Sequence, residues 1–351
     1  MESQGLQKLK EQHFKELRRK PVTLPQGELV KNRLLNPEQD LPLLIEPEIE
    51  DLDLVQWAKA NKVFIELRLL KHGALLFRNF KMRSVSDFRN FVENVFPQLE
   101  MYEIGYAHQK STRHDLPIAL TVSSDKTLGW HNDDSFNHFR WPMKLVFYCH
   151  KPSQQGGETP LVDCRKLYEF IDPEIRERFR RKGVMHVRNY WPELGLVWQN
   201  EFGTSDKAAV RSYCETTGMD FEWLEDDRLR TRFVRPLINK HPATGESIWF
   251  SQVQLWHLYN VAPSILALWS SAFAEHDYPS NCFYGDGSRI KDSDMQMICE
   301  AAKKAQIGFT WQQGDILILD NMLVAHARGT FVGERRHFKA QGEYLTLRDL
   351  Q

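Results

Sequence analysis

The sequence predicts an α+β protein built on a double-stranded β-helix, or jelly-roll, core with flanking helices and a long helical insertion. Three observations predict it. Strand-like runs dominate 117–163 and return over 305–347, helical periodicity governs much of 1–116, and 164–304 between the two β blocks is mixed, with several helical segments. The whole of 1–351 is read as one domain, with 164–304 as an insertion or lid over the barrel mouth or, in the plainer reading, a contact between subunits.

The elements follow in order. MESQGLQKLKEQHFKELRRK reads as an amphipathic helix; it lacks the apolar run of a signal peptide, and Glu11 and Glu16 interrupt its basic residues in a way unlike a transit peptide. Residues 25–47, rich in Pro, Asn and charge, read as extended or loop structure. In DLDLVQWAKANKVFIELRLLKHG, Leu54, Trp57, Ala58, Ile65, Leu69 and Leu70 recur at helical spacing and Gly73 stops the pattern. ALLFRNF suits a buried strand, and Ser84 or Ser86 caps a helix through Val95 that ends at Pro97.

The first β block holds IALTVS, PMKLVFYCHKP, a Gly156-Gly157 turn and ETPLVD. In the insertion, DPEIRERFRRKG, SDKAAVRSYCETTG, APSILALWSSAFAE and DSDMQMICEAAKKA read as helices, with strands around 184–188 and 247–250. IGFTWQQG, DILILD, NMLVAHARG and RRHFKAQGEYLTL close the chain as strands separated by Gly or Asp-Asn turns.

Composition narrows the function classes. Lysine plus arginine number 46 against 47 acids, and the net charge of -1 gives no general attraction to nucleic acid or anionic lipid, so a small neutral or zwitterionic substrate is expected. Five cysteines, scattered and never in C-x-x-C spacing, read as reduced thiols of a cytoplasmic protein. No run of about 18 apolar residues marks a membrane helix.

Within GWHNDDSF, His131 and Asp133 stand two apart, so on a strand both side chains leave one face and reach one metal. The pair alone proves little, because about 1.7 His-x-acid pairs are expected by chance at this composition and one is present. The third candidate is His326 in NMLVAHARG, which shares a strand face with Val324 and Arg328. Two histidines and a carboxylate on three corners of an octahedron leave three open, the arrangement of non-haem Fe(II) oxygenases; two take a cosubstrate and one takes dioxygen. Zinc fits less well, as its structural sites are closed and thiolate-rich and no helical H-E-x-x-H occurs. The plainer alternative is a pair of hydrogen-bonded barrel histidines. Arg335-Arg336, nine and ten residues past His326, argues against it, since a guanidinium in a barrel grips a dicarboxylate bidentately.

WHNDDSF, PMKLVFYCHKPSQQGGETPLVD and DNMLVAHARGTFVGERRHF, in that order, closely resemble the taurine dioxygenase (TauD/TfdA-type) family of Fe(II)/2-oxoglutarate oxygenases. Weak similarity extends through HGALLFRNF, and the insertion matches least. Within the family the chain is most similar to natural-product amino-acid hydroxylases of the syringomycin aspartate hydroxylase type. The resemblance implies that His131, Asp133 and His326 hold Fe(II), that Thr159 hydrogen-bonds the far carboxylate of 2-oxoglutarate, and that Arg336 forms the salt bridge to it; strand alternation is expected to send Arg335 to the opposite face. The family often has a further basic residue four positions beyond the anchoring arginine, where counting from Arg336 reaches Ala340.

The resemblance also implies oxidative decarboxylation of 2-oxoglutarate with O2 to succinate and CO2, coupled to hydrogen abstraction from a substrate C–H bond. Hydroxylation is the default outcome, with desaturation or oxidative cyclisation as alternatives. Family halogenases replace the ligand carboxylate by a small residue, so Asp133 disfavours halogenation. Ser124, Trp130, Asn132, Arg140 and Arg328 are the candidate substrate contacts, with Arg113, Arg188 and Asn260 as contributors from loops or insertion; each has a structural alternative, and Trp130 and Trp141 suit a core. The substrate expected is a small, amino-acid-like molecule, free or tethered to a carrier protein, and a homo-oligomer is compatible with the insertion. Rivals are an oxygenase acting on a macromolecule and a non-catalytic barrel that binds or senses; the second is disfavoured because no iron ligand is lost.

Overall fold

A computed structural model describes residues 29–103, 124–136, 140–194 and 196–350. The expected N-terminal helix, the IALTVS strand up to residue 123, and Arg113 lie outside the described residues.

The Pro-rich stretch after residue 29 is extended, and β1 (Val30–Leu34) pairs antiparallel with β2 (Leu43–Pro47). The helix expected from Leu54 to Gly73 is two helices. Asp53 caps α1 (Leu54–Ala60) by accepting from the Val55 and Gln56 amides, and Asn61 breaks the run, its Nδ2 donating to the Trp57 carbonyl at 2.8 Å before α2 (Lys62–His72) begins. Gly73, at φ +72°, ends α2 and turns the chain into β3 (Ala74–Phe77), buried along its whole length. Ser84, not Ser86, caps α3 (Val85–Val95) through a reciprocal box with Asp87. β4 (Glu100–Glu103) follows.

The first β block supplies β5 (Leu128–His131), β6 (Trp141–Lys151), β7 (Gln155–Gly156) and β8 (Leu161–Asp163). The last block supplies β15 (Gln306–Ile307), β16 (Ile316–Asp320), β17 (Val324–Arg328), β18 (Phe331–Val332) and β19 (Arg336–Leu345). These strands interleave: one sheet runs β1-β2-β3-β16-β6-β19-β4 and a second runs β15-β8-β17-β5. Only β2 and β3 pair parallel within them. IGFTWQQG is mostly loop, since pairing stops at Ile307 and Asp315 closes a turn by accepting from the Gln312 amide at 2.8 Å.

Alternation sorts the faces of the larger sheet. Val146, Tyr148, Ile316, Ile318, Phe338 and Ala340 pack outward against Phe88, Phe91 and Val92 of α3. Leu145, Phe147, Leu317 and Leu319 point inward to one core with Leu161, Val162, Val324 and Ala325 of the smaller sheet. The site lies between those inner faces.

Between β8 and β15 the chain holds the four expected helices and the two expected strands, joined by further short helices and strands. It contains α4 (Cys164–Phe170), α5 (Pro173–Lys182), α6 (Trp198–Phe202), α7 (Lys207–Thr217), α8 (Val253–Trp256), α9 (Pro263–Ala272) and α10 (Asp292–Ala305). It also builds an antiparallel sheet, in the order β10 (Asp220–Trp223), β11 (Leu229–Arg235), β9 (Val184–Tyr190) and β14 (Ser280–Tyr284), beside a β12 (Ile238–Lys240) and β13 (Ser247–Trp249) pair. β10 and β11 were illegible because DFEW and LRTRFVR mix charge with apolar residues, and β11 buries Leu229, Arg230 and Thr231 in succession rather than alternately. Among the described residues no helix is long and apolar enough to cross a membrane.

Candidate metal centre and cosubstrate pocket

β5 and β17 pair so that His131 and His326 are direct cross-strand partners, their rings 4.5 Å apart. Asp133 follows β5 by two residues, and Asn321 in the turn between β16 and β17 fixes its backbone. Asn321 Oδ1 accepts from the Asp133 amide at 2.8 Å, while Nδ2 donates to the Asp133 and Pro142 carbonyls at 2.9 and 2.8 Å. That amide is thereby saturated inside the protein, and the carboxylate it steers meets both imidazoles. His131 Nε2 lies 3.4 Å and His326 Nε2 3.8 Å from Asp133 Oδ1, and ligand atoms of all three lie within 4.8 Å of one another.

The electrostatics suit a cation. His131 Nδ1 bonds the Gly129 carbonyl at 2.9 Å, a contact that makes Nδ1 the protonated nitrogen and leaves the Nε2 lone pair facing Asp133. Burial and then the neighbouring His131 push the His326 imidazolium down to about 3, so that ring is neutral. Burial alone would raise the Asp133 carboxyl, but the Lys339 ammonium on its Oδ2 holds it well below the usual range. A charged carboxylate with two imidazoles fits a first-row divalent ion and leaves coordination positions open.

Next to this centre is a second polar cluster. Thr159, between the Gly156-Gly157 turn and β8, is buried, and its Oγ1 accepts from Trp311 Nε1 at 2.9 Å. The Trp311 ring lies 4.8 Å from that of His337, and Arg335 stands two residues before His337, just ahead of β19. Gly157, at φ +76°, lets the Arg335 stem pass where a Cβ would lie 3.2 Å from its Cδ. Burial and then Arg328 bring Arg335 down to about 10, which places two guanidiniums in one neighbourhood.

This arrangement corrects the expectation for Arg336. Lys339 pairs with Phe147 and His337 with Cys149, both inward-facing on β6, so odd-numbered positions of β19 turn inward. Arg336 shares the outer face with Phe338, its guanidinium 5.8 Å from that ring. A bulge fixes the outcome, because Arg336 pairs with Lys151 and leaves His150 as an extra residue in β6. Counted from Arg335, the residue four positions on is Lys339 rather than Ala340, and the basic side chain is present.

The candidate substrate residues separate. Asn132 faces away from the metal ligands and is fully used by the protein: Nδ2 donates to the Asn321 carbonyl at 2.7 Å and Oδ1 accepts from the Ser251 amide at 3.3 Å. Trp130 and Trp141 belong to the core. Arg140 stacks 4.3 Å over Tyr344, and Ser124 is exposed, its carbonyl accepting from the Phe331 amide. Arg188 is held by Glu201 at 2.6 Å, and Asn260 Nδ2 donates to the Gln254 carbonyl at 2.8 Å. Arg328, whose Nη2 donates to the Lys126 carbonyl at 2.8 Å, is brought toward Arg335. Sequence reasoning missed Lys339, Asn321, Trp311 and His337; the four-residue step from Arg335 was the available signal for Lys339.

The model of the taurine catabolism dioxygenase TauD, TfdA family matches residues 37–340. The dapdiamide synthesis protein DdaC of Enterobacter agglomerans is 34% identical over 267 residues, covering 76% of this chain and 81% of that protein. The clavaminate synthase-like protein At3g21360 of Arabidopsis thaliana is 27% identical over 293 residues, covering 80% and 84%. Among solved structures, PvcB from Pseudomonas aeruginosa superposes with a TM-score of 0.53 at 14% identity, covering 92% of this chain and 94% of that one, a likeness of fold.

Proposed function

The chain belongs to the TauD/TfdA family and is an Fe(II)- and 2-oxoglutarate-dependent dioxygenase; on that premise we propose that it oxidises an unactivated C–H bond of a small amino-acid-like or carboxylate substrate in specialised metabolism. The observation that carries the reading is the convergence of His131, Asp133 and His326 beside an inward arginine. In this reading the three side chains hold Fe(II), and Thr159 and Arg335 grip the distal carboxylate of 2-oxoglutarate. Bound iron, 2-oxoglutarate and O2 together supply the oxidant, with succinate and CO2 as coproducts. Lys339 holds Asp133 Oδ2, leaving Oδ1 toward the histidines. Arg328 is the proposed contact for a substrate carboxylate.

Other features support the same reading. The two interleaved sheets are read as the double-stranded β-helix, and 164–304 as the excursion that shields it. α8 lies on β5, where Gln252 and Gln254 donate to the Asn132 and Trp130 carbonyls, so the insertion is bonded to the strand that carries His131. Five free cysteines, four of them buried, fit a reducing, cytoplasmic setting. The names of relatives from dapdiamide synthesis and of a pentalenolactone F synthase support small-molecule biosynthesis. Hydroxylation is the proposed default, with cyclisation or desaturation as the alternative fates of the same substrate radical.

Anaerobic addition of Fe(II) and 2-oxoglutarate tests the site. The expected result is a weak visible metal-to-ligand band in the wild type that is absent in His131→Ala; no wild-type band, or an unchanged band in the variant, overturns the assignment. Succinate release across a panel of free amino acids, with product masses recorded, then identifies the substrate and separates oxygen insertion from loss of two hydrogens.

A further inference from the structure

His337 has no place in the reading above, yet its surroundings are unusual for a core histidine. The side chain is 1% exposed, and neither ring nitrogen meets a hydrogen-bond partner among the described residues. Buried polar atoms left in this state cost stability, so a histidine kept there calls for a partner that the protein itself does not supply. Its neighbours say what kind. One face packs on Trp311, whose Nε1 is already committed to Thr159, and the adjacent charge is Arg335, whose buried Nε likewise meets no partner among the described residues. Burial and then Arg335 push the His337 imidazolium down to about 2, so the ring offers one N–H while remaining uncharged. A hydroxyl free to donate, a guanidinium and an imidazole N–H thus meet around Trp311, and among the described residues no carboxylate pairs with Arg335 or His337.

We propose that His337 is a third hydrogen-bond donor, beside Thr159 and Arg335, to the distal carboxylate of 2-oxoglutarate, and that it makes the pocket selective for a 2-oxo dicarboxylate. The inference rests on the cosubstrate reading above and adds to it a specificity-determining residue. A carboxylate has about four lone-pair sites, so three donors are accommodated without competition.

The test is anaerobic titration of the Fe(II)-loaded protein, following the visible band, with 2-oxoglutarate and with 2-oxovalerate, which has the same chelating end and chain but no distal carboxylate. In His337→Leu the dissociation constant for 2-oxoglutarate is expected to rise about tenfold or more while that for 2-oxovalerate changes less than about twofold, and His337→Gln is expected to recover most of the loss. Should His337→Leu not fold, His337→Phe carries the same comparison. Equal losses for both acids assign His337 a merely structural role and overturn the proposal, as does an unchanged constant for 2-oxoglutarate. Failure of the wild type to bind either acid overturns the cosubstrate reading itself, an outcome distinct from those two.

Discussion

Lys339 and Asp133 form a buried ion pair on a carboxylate that also faces two histidines. Breaking such a pair from one side typically costs about 3–5 kcal/mol, because the remaining charge is left uncompensated. For Lys339→Met the full loss is expected only in metal-free protein, since a divalent ion on Asp133 restores positive charge. Thermal melts with and without Co(II) should show the deficit shrinking on metal saturation; the same deficit in both states would mean that Lys339 acts by packing. His186 allows a second prediction at this scale. It is buried between Phe233 and Trp256, neither nitrogen meets a partner among the described residues, and burial and then Arg235 bring it down to about 3. Its folded value lies below the unfolded value of 6.5, so the unfolded chain takes up a proton that the folded protein refuses. The stability is complete above pH 6.5 and is lost as the pH falls toward 3. His186→Leu should therefore remove about 1.4 kcal/mol per pH unit from the acid slope of stability below pH 6, measured by urea denaturation at several pH values; parallel slopes would refute it.

Elements decide where these residues stand. Gly73 was legible as a helix stop, but the structure gives it a second role: a Cβ there would lie 2.6 Å from Val324 Cγ2, on the strand that carries His326. Gly73→Ala combines left-handed strain with overpacking and is expected to cost about 2–4 kcal/mol in urea denaturation; a change below about 0.5 kcal/mol would show that β17 yields freely. The turn between β16 and β17 does comparable work through side chains. Asp320 accepts from the Met322 and Leu323 amides and lies 3.0 Å from His241 Nε2, while Asn321 clamps Asp133. The Asp-Asn turn was visible in the sequence as a break between strands. Its distant contacts were not, since Asp320 meets His241 across 79 positions and Asn321 meets Asp133 across 188.

At the scale of the molecule, one apolar core joins what the sequence divides. Leu145 and Phe147 of the larger sheet, Leu161 and Val324 of the smaller, and Trp249, Phe250 and Ile298 from the intervening stretch belong to a single cluster. Stretches that share a core lose their packing together, so the protein is expected to unfold in one calorimetric transition, and metal should move that transition upward as a whole by mass action. Two resolved transitions, with only one responding to metal, would show that 164–304 folds separately.

By itself the sequence offered the chemistry: a His-x-Asp pair, a distant histidine after a tight turn, a Gly-Gly-Glu-Thr turn and twin arginines; the structure ends β5 at His131 and sets Asp133 in the turn beyond it. Those features are local and are read from residue order alone, without knowledge of any partner strand. Strand 141–151, the helix stops and a serine cap for the helix through Val95 were legible for the same reason, while the reciprocal box of Ser84 with Asp87 was not. Only the tertiary structure decided which arginine looks inward, because the face of β19 is set by its pairing with β6 and by a bulge at His150. It alone turned Asn132 from a substrate candidate into a clamp, put Lys339 on Asp133 and left His337 buried without a partner among the described residues. A one-residue shift in register exchanges every inward side chain for an outward one, and nothing within a single strand specifies that shift.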